Sequence, residues 1–219
     1  MAVSPTVTYG GSDSIGEMGE RIAVLVSGNG TNLQALLDDP FCGPRISLVL
    51  SDRANIPALD RARARGVETV VIDPSSFEDR SAFDRAVCDA LQRRGTDVVV
   101  TAGYMRLLGP AVLDVFGGRW LNTHPALLPS FPGMHGVRDA LEHGVKVTGV
   151  SVFLVDEGID TGPIVLQEAI DVRDDDDWRS LEARVLEVEH RLLPRAVRAL
   201  VEGRLVVDGR HVTTVQAVP

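Results

Sequence analysis

Residues Arg21 to Leu36 read RIAVLVSGNGTNLQAL, and three kinds of local structure follow one another within them. Ile22 to Val26 are apolar without alternation, the pattern of a strand covered on both faces. Ser27-Gly28-Asn29-Gly30 is a run of turn formers, and a helix is expected from about Thr31. The same rhythm recurs downstream. ISLVL (Ile46 to Leu50) predicts a second strand, and Ile56 to Arg65 a helix ended by Gly66. VETVVI (Val67 to Ile72) predicts a third strand, Arg80 to Arg94 a helix stopped by Gly95, and DVVVTAG a fourth strand. Apolar strands separated by helices imply an α/β fold whose central sheet is mostly parallel and sandwiched between helices, three layers in all.

After Trp120 the rhythm changes. Leu121 to Gly133 is rich in proline and without a clear period, which predicts an extended loop. KVTGVSVFLV and GPIVLQEAIDV are β-rich runs joined by DEGIDT, so an antiparallel hairpin is expected in the C-terminal half. Asp174 to Asp177 precede a helix from about Trp178 to Val201, and acids at a helix start suit its dipole. Arg204 to Val207 and His211 to Val215 flank Asp208-Gly209, the signal of a short terminal hairpin. Residues 1–20 read as a flexible Gly/Ser-containing leader without the basic start and apolar core of a signal peptide. Residues 21–219 then form a single domain, a size that buries one substantial core.

Composition narrows the function. The chain of 219 residues is 44% hydrophobic and 24% charged, with a net charge of −9. That charge repels phosphate backbones and disfavours nucleic-acid binding. No apolar run approaches the roughly 18 to 20 residues of a membrane span, so a cytoplasmic location is expected. Lys146 is the only lysine and sits in the expected hairpin, a solvated setting unsuited to Schiff-base chemistry. Cys42 and Cys88 lack metal-binding spacing, as do His124, His135, His143, His190 and His211, so no metal is expected.

The Ser27 to Leu33 loop joins a strand to a helix. Glycines allow close approach of a ligand to backbone, and helix-start N–H groups attract an anion, so the loop suits one phosphate. A dinucleotide site competes, because Gly28-x-Gly30 matches half its fingerprint and Asp52 falls where a ribose-binding acid belongs. Leu33 occupies its third glycine position. A plain glycine turn also remains open.

The segment Leu121-Asn122-Thr123-His124-Pro125 carries the chemistry. Asn122 and His124 are two apart, so an extended chain projects both to one side. Pro125 favours that conformation for His124. An amide and an imidazole side by side can donate to one oxyanion, and histidine can pass a proton near neutral pH. A third group must fix the imidazole's charge or tautomer, and Asp156-Glu157-Gly158-Ile159-Asp160 offers carboxylates. The residues alone read Asp160 as a turn former before anything else.

Together RIAVLVSGNGTNLQAL, DVVVTAGYMRLLGP (Asp97 to Pro110), LNTHPALLPSFPG and DEGIDTGPIV (Asp156 to Val165) resemble the glycinamide ribonucleotide formyltransferases, over Arg21 to the C-terminus. The resemblance implies a Rossmann-like fold and transfer of a formyl group from 10-formyltetrahydrofolate, as co-substrate, to glycinamide ribonucleotide in purine biosynthesis. Asn122, His124 and Asp160 would be catalytic. Gly30, Thr31, Asn32 and Glu189 would bind the ribonucleotide, although pattern alone makes Glu189 a solvated helix residue. Arg80, Met105, Arg106, Leu107 and Leu108 would contact folate, with Asn122, Asp156, Glu157, Gly158, Ile159 and Asp160. The group often has serine where this chain has Ala126, so a loop hydrogen bond is expected to be missing. Relatives suggest a monomer or a homodimer. The nearest rival is formyltetrahydrofolate deformylase, a hydrolase that usually carries a preceding regulatory domain for which 20 residues are too few. Methionyl-transfer-RNA formyltransferase usually adds a C-terminal domain and a basic surface. A nicotinamide dehydrogenase and a non-catalytic nucleotide-binding module are the readings from other classes.

Overall fold

The structure, a computed structural model, describes residues 7–8 and 20–215. The leader expected over 1–20 therefore lies outside the described residues, apart from Val7, Thr8 and Glu20. Contacts divide the chain into two compact units, Ile15–Leu121 and Asn122–Pro219 with Met1–Ser14. In chain order the strands are β1 (Val7–Thr8), β2 (Ile22–Val26), β3 (Ile46–Ser51), β4 (Glu68–Val71), β5 (Val98–Thr101), β6 (Trp120–His124), β7 (Val147–Leu154), β8 (Ile164–Asp171), β9 (Leu205–Asp208) and β10 (His211–Thr214). The helices are α1 (Thr31–Asp38), α2 (Pro57–Ala64), α3 (Arg80–Arg93), α4 (Pro110–Phe116), α5 (Gly136–Glu142) and α6 (Trp178–Val201). The fold is α/β and Rossmann-like, with the parallel strands first and an antiparallel hairpin in the C-terminal half.

In the first unit β2 lies between β3 and β5, all parallel, and β3 also pairs with β4. Every residue of β2 is fully buried. Each of its Ile, Val and Leu side chains removed from water in this way contributes about 1.5–3 kcal/mol. β4 departs from the expectation of strands apolar throughout: it is partly exposed, with Val71 at 40%. The chain leaves β2 in one direction toward β3 and later returns on its other side at β5. Such a switch point opens a crevice outside the carboxyl ends of the strands, where α/β proteins bind ligands.

In the second unit β7 and β8 form the expected antiparallel hairpin, with Gly149 opposite Ala169 and Val152 opposite Leu166. Gly149 cannot carry a side chain, because a Cβ there would lie 2.1 Å from the Glu168 carbonyl oxygen. α6 packs on β7 and β8. Its start is a capping box in which Asp177 accepts the Ser180 amide while Ser180 Oγ accepts the Asp177 amide, so the acidic run does cap this helix. Lys146 is exposed and paired with Asp174. β9 pairs with both β10 and β1.

One sequence expectation needs correcting. The segment read as a loop from Leu121 begins as a strand, β6, which runs to His124. Its five residues are too few for a period to show beside the prolines that follow. α4 and α5, seven residues each, escaped for the same reason.

Candidate active site

In the second unit, β6 delivers the Asn122 and His124 side chains to one face and Thr123 to the other, as strand alternation requires. His124 is 4% exposed. Its Nε2 lies 2.7 Å from the Phe131 carbonyl oxygen. A carbonyl only accepts, so Nε2 carries a hydrogen and donates it there. Nδ1 is then the nitrogen left for chemistry. The Asp160 Oδ2 lies 3.5 Å from it, within ion-pair reach once the imidazole is charged.

Both partners of His124 are held in uncommon backbone. Three described non-glycine residues have positive φ: Asn55, Phe131 at 51° and Asp160 at 53°. Aspartate tolerates this region, whereas a bulky aromatic does so at a cost of about 1–3 kcal/mol. That strain is the cost of turning the Phe131 carbonyl onto the imidazole. The loops are also cross-linked, since Asp160 Oδ2 accepts the Gly133 amide at 2.7 Å. Asp160 is therefore both a turn residue and the neighbour of His124.

The rest of the Asp156–Asp160 segment is organised around Asp156, which accepts the Gly158 amide at 3.0 Å and the Thr161 hydroxyl at 2.6 Å. Glu157, Gly158 and Ile159 are exposed, Ile159 at 52%. Glu189 corrects the pattern-based reading of a solvated residue. It is 5% exposed and its Oε1 accepts the Thr123 hydroxyl at 2.9 Å.

Sequence reasoning missed several supports. Ser151, fully buried, donates from Oγ to the Ala126 carbonyl and accepts from the Leu128 amide and Gln167 Nε2. The loop that lacks a serine at Ala126 is thus tied down from β7. Gly136 opens α5, and a Cβ on it would meet the Pro125 oxygen at 3.0 Å and His124 Nε2 at 3.1 Å. Its lack of a side chain makes room for the imidazole. Nothing in the local sequence around Gly136 signals this.

The first unit holds the other sequence-predicted residues. Gly30 is the N-cap of α1 in the left-handed region, φ 71°, with no side-chain cap. A Cβ on Gly30 would lie 2.6 Å from Ala58 Cβ, so packing as well as ligand approach requires glycine here. Thr31 and Asn32 follow at the helix start, and the first turn has no acidic residue, an arrangement that suits an anion. Asp52 is not available to a ribose: its side chain is fully buried, Oδ1 accepts the Ser27 hydroxyl at 2.7 Å and Oδ2 accepts Arg106 Nε at 2.8 Å. That removes the acid on which the dinucleotide reading depended.

The same cluster fixes the loop after β5. Ser27 Oγ also accepts the Met105 amide at 3.0 Å, and the Ser27 amide donates to the Gly103 carbonyl at 3.2 Å. Arg80 Nη2 donates to the Leu107 carbonyl. Arg106 and Arg80 therefore use their charge inside the protein, on Asp52 and at 3.6 Å from Asp84. Met105 and Leu107 are half exposed, while Leu108 is buried. Burial pushes the Tyr104 hydroxyl well above the ordinary tyrosine range.

Comparison with known proteins identifies the family. The family model described as formyl transferase matches residues 20–197. A phosphoribosylglycinamide formyltransferase of Mycobacterium tuberculosis is 46% identical over 195 residues, covering 88% of this chain and 90% of that protein. A trifunctional purine biosynthetic protein adenosine-3 of Bos taurus is 41% identical over 87% of this chain, which spans only 19% of that longer protein. The solved glycinamide ribonucleotide transformylase 1 of Symbiobacterium toebii superposes with a TM-score of 0.89 at 46% identity, covering 95% of this chain and all of that one. The chain accordingly belongs to the formyl transferase family, among the phosphoribosylglycinamide formyltransferases.

Proposed function

We propose that the chain moves the formyl group of 10-formyltetrahydrofolate onto the primary amine of N1-(5-phospho-D-ribosyl)glycinamide, giving tetrahydrofolate and the N-formyl product in de novo purine synthesis. The observation that carries this reading is a His124 whose Nε2 is spent on Phe131, leaving Nδ1 beside Asp160 and on the Asn122 face of β6. The amine attacks the formyl carbon and an oxyanion develops. Asn122 and His124 Nδ1–H stabilise it, and Asp160 supports the imidazolium. The bond from carbon to N10 then breaks, and the proton lost by the amine reaches N10 through Nδ1 or a water.

In the same reading Gly30, Thr31 and Asn32 take the phosphate, and Glu189 the sugar or amine region, now through a carboxylate anchored on Thr123. Met105, Leu107 and Ile159 offer exposed apolar contacts to the pterin, with Arg106, Arg80 and Asp156 holding the loops that present them. Residues 21–219 act as one formyltransferase domain, a view supported by the family match over 20–197. The protein works in the cytoplasm on small molecules, as a monomer or a homodimer. Among the described residues no helix is long and apolar enough to cross a membrane.

The test supplies 10-formyltetrahydrofolate with and without glycinamide ribonucleotide. Folate release that requires the ribonucleotide is expected, and release without it would make the chain a hydrolase. Loss of one oxyanion donor typically costs about 100- to 1000-fold in rate, so a His124→Ala protein with intact turnover refutes the assignment.

A further inference from the structure

Ser27, directly after β2, stands where two loops of the first unit meet, and it is 4% exposed. Its amide donates to the Gly103 carbonyl at 3.2 Å, and its Oγ accepts the Met105 amide at 3.0 Å. The hydroxyl hydrogen goes to Asp52 Oδ1 at 2.7 Å, because a carboxylate only accepts and an amide only donates. An alanine could fill neither side-chain role. The loop held in this way, Gly103 to Gly109, has no helix or strand of its own. Its near end rests on Ser27 and on the Arg106–Asp52 bond at 2.8 Å. Its far end rests on α3, where Arg80 Nη2 donates to the Leu107 carbonyl at 3.1 Å and Asp84 Oδ2 accepts the Gly109 amide at 2.9 Å. The half-exposed Met105 and Leu107 lie between the two anchors.

On its other side Ser27 is the stem of the cradle that ends at Asn32. The Gly28 carbonyl accepts the Ala58 amide at 3.2 Å and the Asn29 carbonyl accepts Arg61 Nε at 2.9 Å, both from α2. A trans peptide is planar with C=O and N–H opposed, so the Asn29 and Gly30 N–H groups point away from α2. An anion on those N–H groups polarises the same peptides and strengthens their carbonyl bonds to α2. The cradle and its stem then lose freedom together, and so do the groups bonded to the stem.

We propose that Ser27 is a positioning residue that couples the two substrate loops. A phosphate in the cradle fixes Ser27, and Ser27 fixes Gly103 to Leu107 in the form that receives the folate. This rests on the phosphate and folate assignments proposed above. Part of the ordering that folate binding requires is complete before the folate arrives, and by linkage the folate tightens the sugar phosphate by the same factor.

Calorimetry of tetrahydrofolate binding to the full chain, alone and with saturating ribose 5-phosphate, tests this. Tetrahydrofolate carries no formyl group, so nothing reacts, and ribose 5-phosphate lacks the amine that meets the folate. Ribose 5-phosphate is expected to tighten tetrahydrofolate about fivefold, the low end of measured couplings. S27A should lose that factor while still binding each ligand by itself, a change that general damage to one site would not produce. Amide hydrogen exchange on the unaltered chain gives a second reading: ribose 5-phosphate alone should slow exchange of the Met105 amide. Equal tetrahydrofolate affinity with and without ribose 5-phosphate overturns the coupling, as does the same fivefold effect in S27A. Met105 exchange unmoved by bound ribose 5-phosphate overturns it even where S27A fails to fold. An unaltered chain that binds no ribose 5-phosphate at millimolar concentration overturns the cradle assignment itself, and this inference with it.

Discussion

Gly136→Ala separates stability from chemistry at this site. The added Cβ would sit 3.0 Å from the Pro125 oxygen and 3.1 Å from His124 Nε2, roughly 0.3–0.4 Å inside ordinary contact. One neighbour is backbone and the other is a ring already held at 2.7 Å from Phe131, so neither gives way without moving the imidazole. On stability the effects oppose. Alanine removes glycine's unfolded-state freedom, a gain of about 0.4–1 kcal/mol, while overpacking costs about 1–3 kcal/mol. The net is a loss of about 1 kcal/mol, which for a chain of this size lowers Tm by roughly 2–4 °C. On rate there is no compensation. A displacement of about 1 Å can cost about 100-fold, so a few tenths of an ångström should cost about tenfold. The measurement is kcat for formyl transfer beside thermal unfolding on the same preparations. Full kcat together with an unchanged Tm would refute the claim that Gly136 makes room for His124.

Three further outcomes are expected. Asp160→Asn keeps the acceptor for the Gly133 amide but removes the charge beside Nδ1, so kcat should fall well below the unaltered rate while Tm moves little; a fall in stability without a fall in kcat would make Asp160 a turn residue only. Asp52→Asn leaves Arg106 without its buried carboxylate and should cost about 2 kcal/mol, the range for a hydrogen bond to a charged group, read as a lower urea midpoint at constant slope; an unchanged midpoint would deny the Ser27–Asp52–Arg106 cluster its structural role. Burial raises the Asp176 carboxyl, but hydrogen bonds from the Arg173 amide, Arg184 and Ser180 outweigh it and hold it at about 2. A depressed carboxylate stabilises the fold above its unfolded value near 3.8 and loses that contribution as pH falls toward 2. Urea midpoints should therefore drop between pH 4 and pH 2, and Arg184→Met should remove more stability at pH 5 than at pH 2.5; equal losses at both would refute the pairing.

Much of the α/β pattern was legible because it is local. An uninterrupted apolar run such as Ile22–Val26 needs cover on both faces, and glycines after Ala64 and Arg93 stop helices whatever surrounds them. The same locality made the β7–β8 hairpin, the Asp177 cap and the β9–β10 turn readable. The alternation of Asn122 and His124 needed only an extended chain, even though the segment around them read as a loop.

The remainder depended on neighbours far away in sequence. Asp160 is a turn former by composition, and only the folded chain sets its carboxylate 3.5 Å from His124 Nδ1. Which imidazole nitrogen is left for chemistry is decided by a backbone carbonyl, that of Phe131, and no side-chain pattern encodes a carbonyl's direction. Glu189 looked solvated until a threonine on β6 supplied its hydrogen bond, and Asp52 looked available until Ser27 and Arg106 claimed both oxygens. Sequence by itself determined which residue types could do the chemistry and which local structures would carry them, because apolar period, turn formation and capping act over a few residues. Only the tertiary structure decided which polar groups were already satisfied by one another, because hydrogen bonds and ion pairs depend on distance in space.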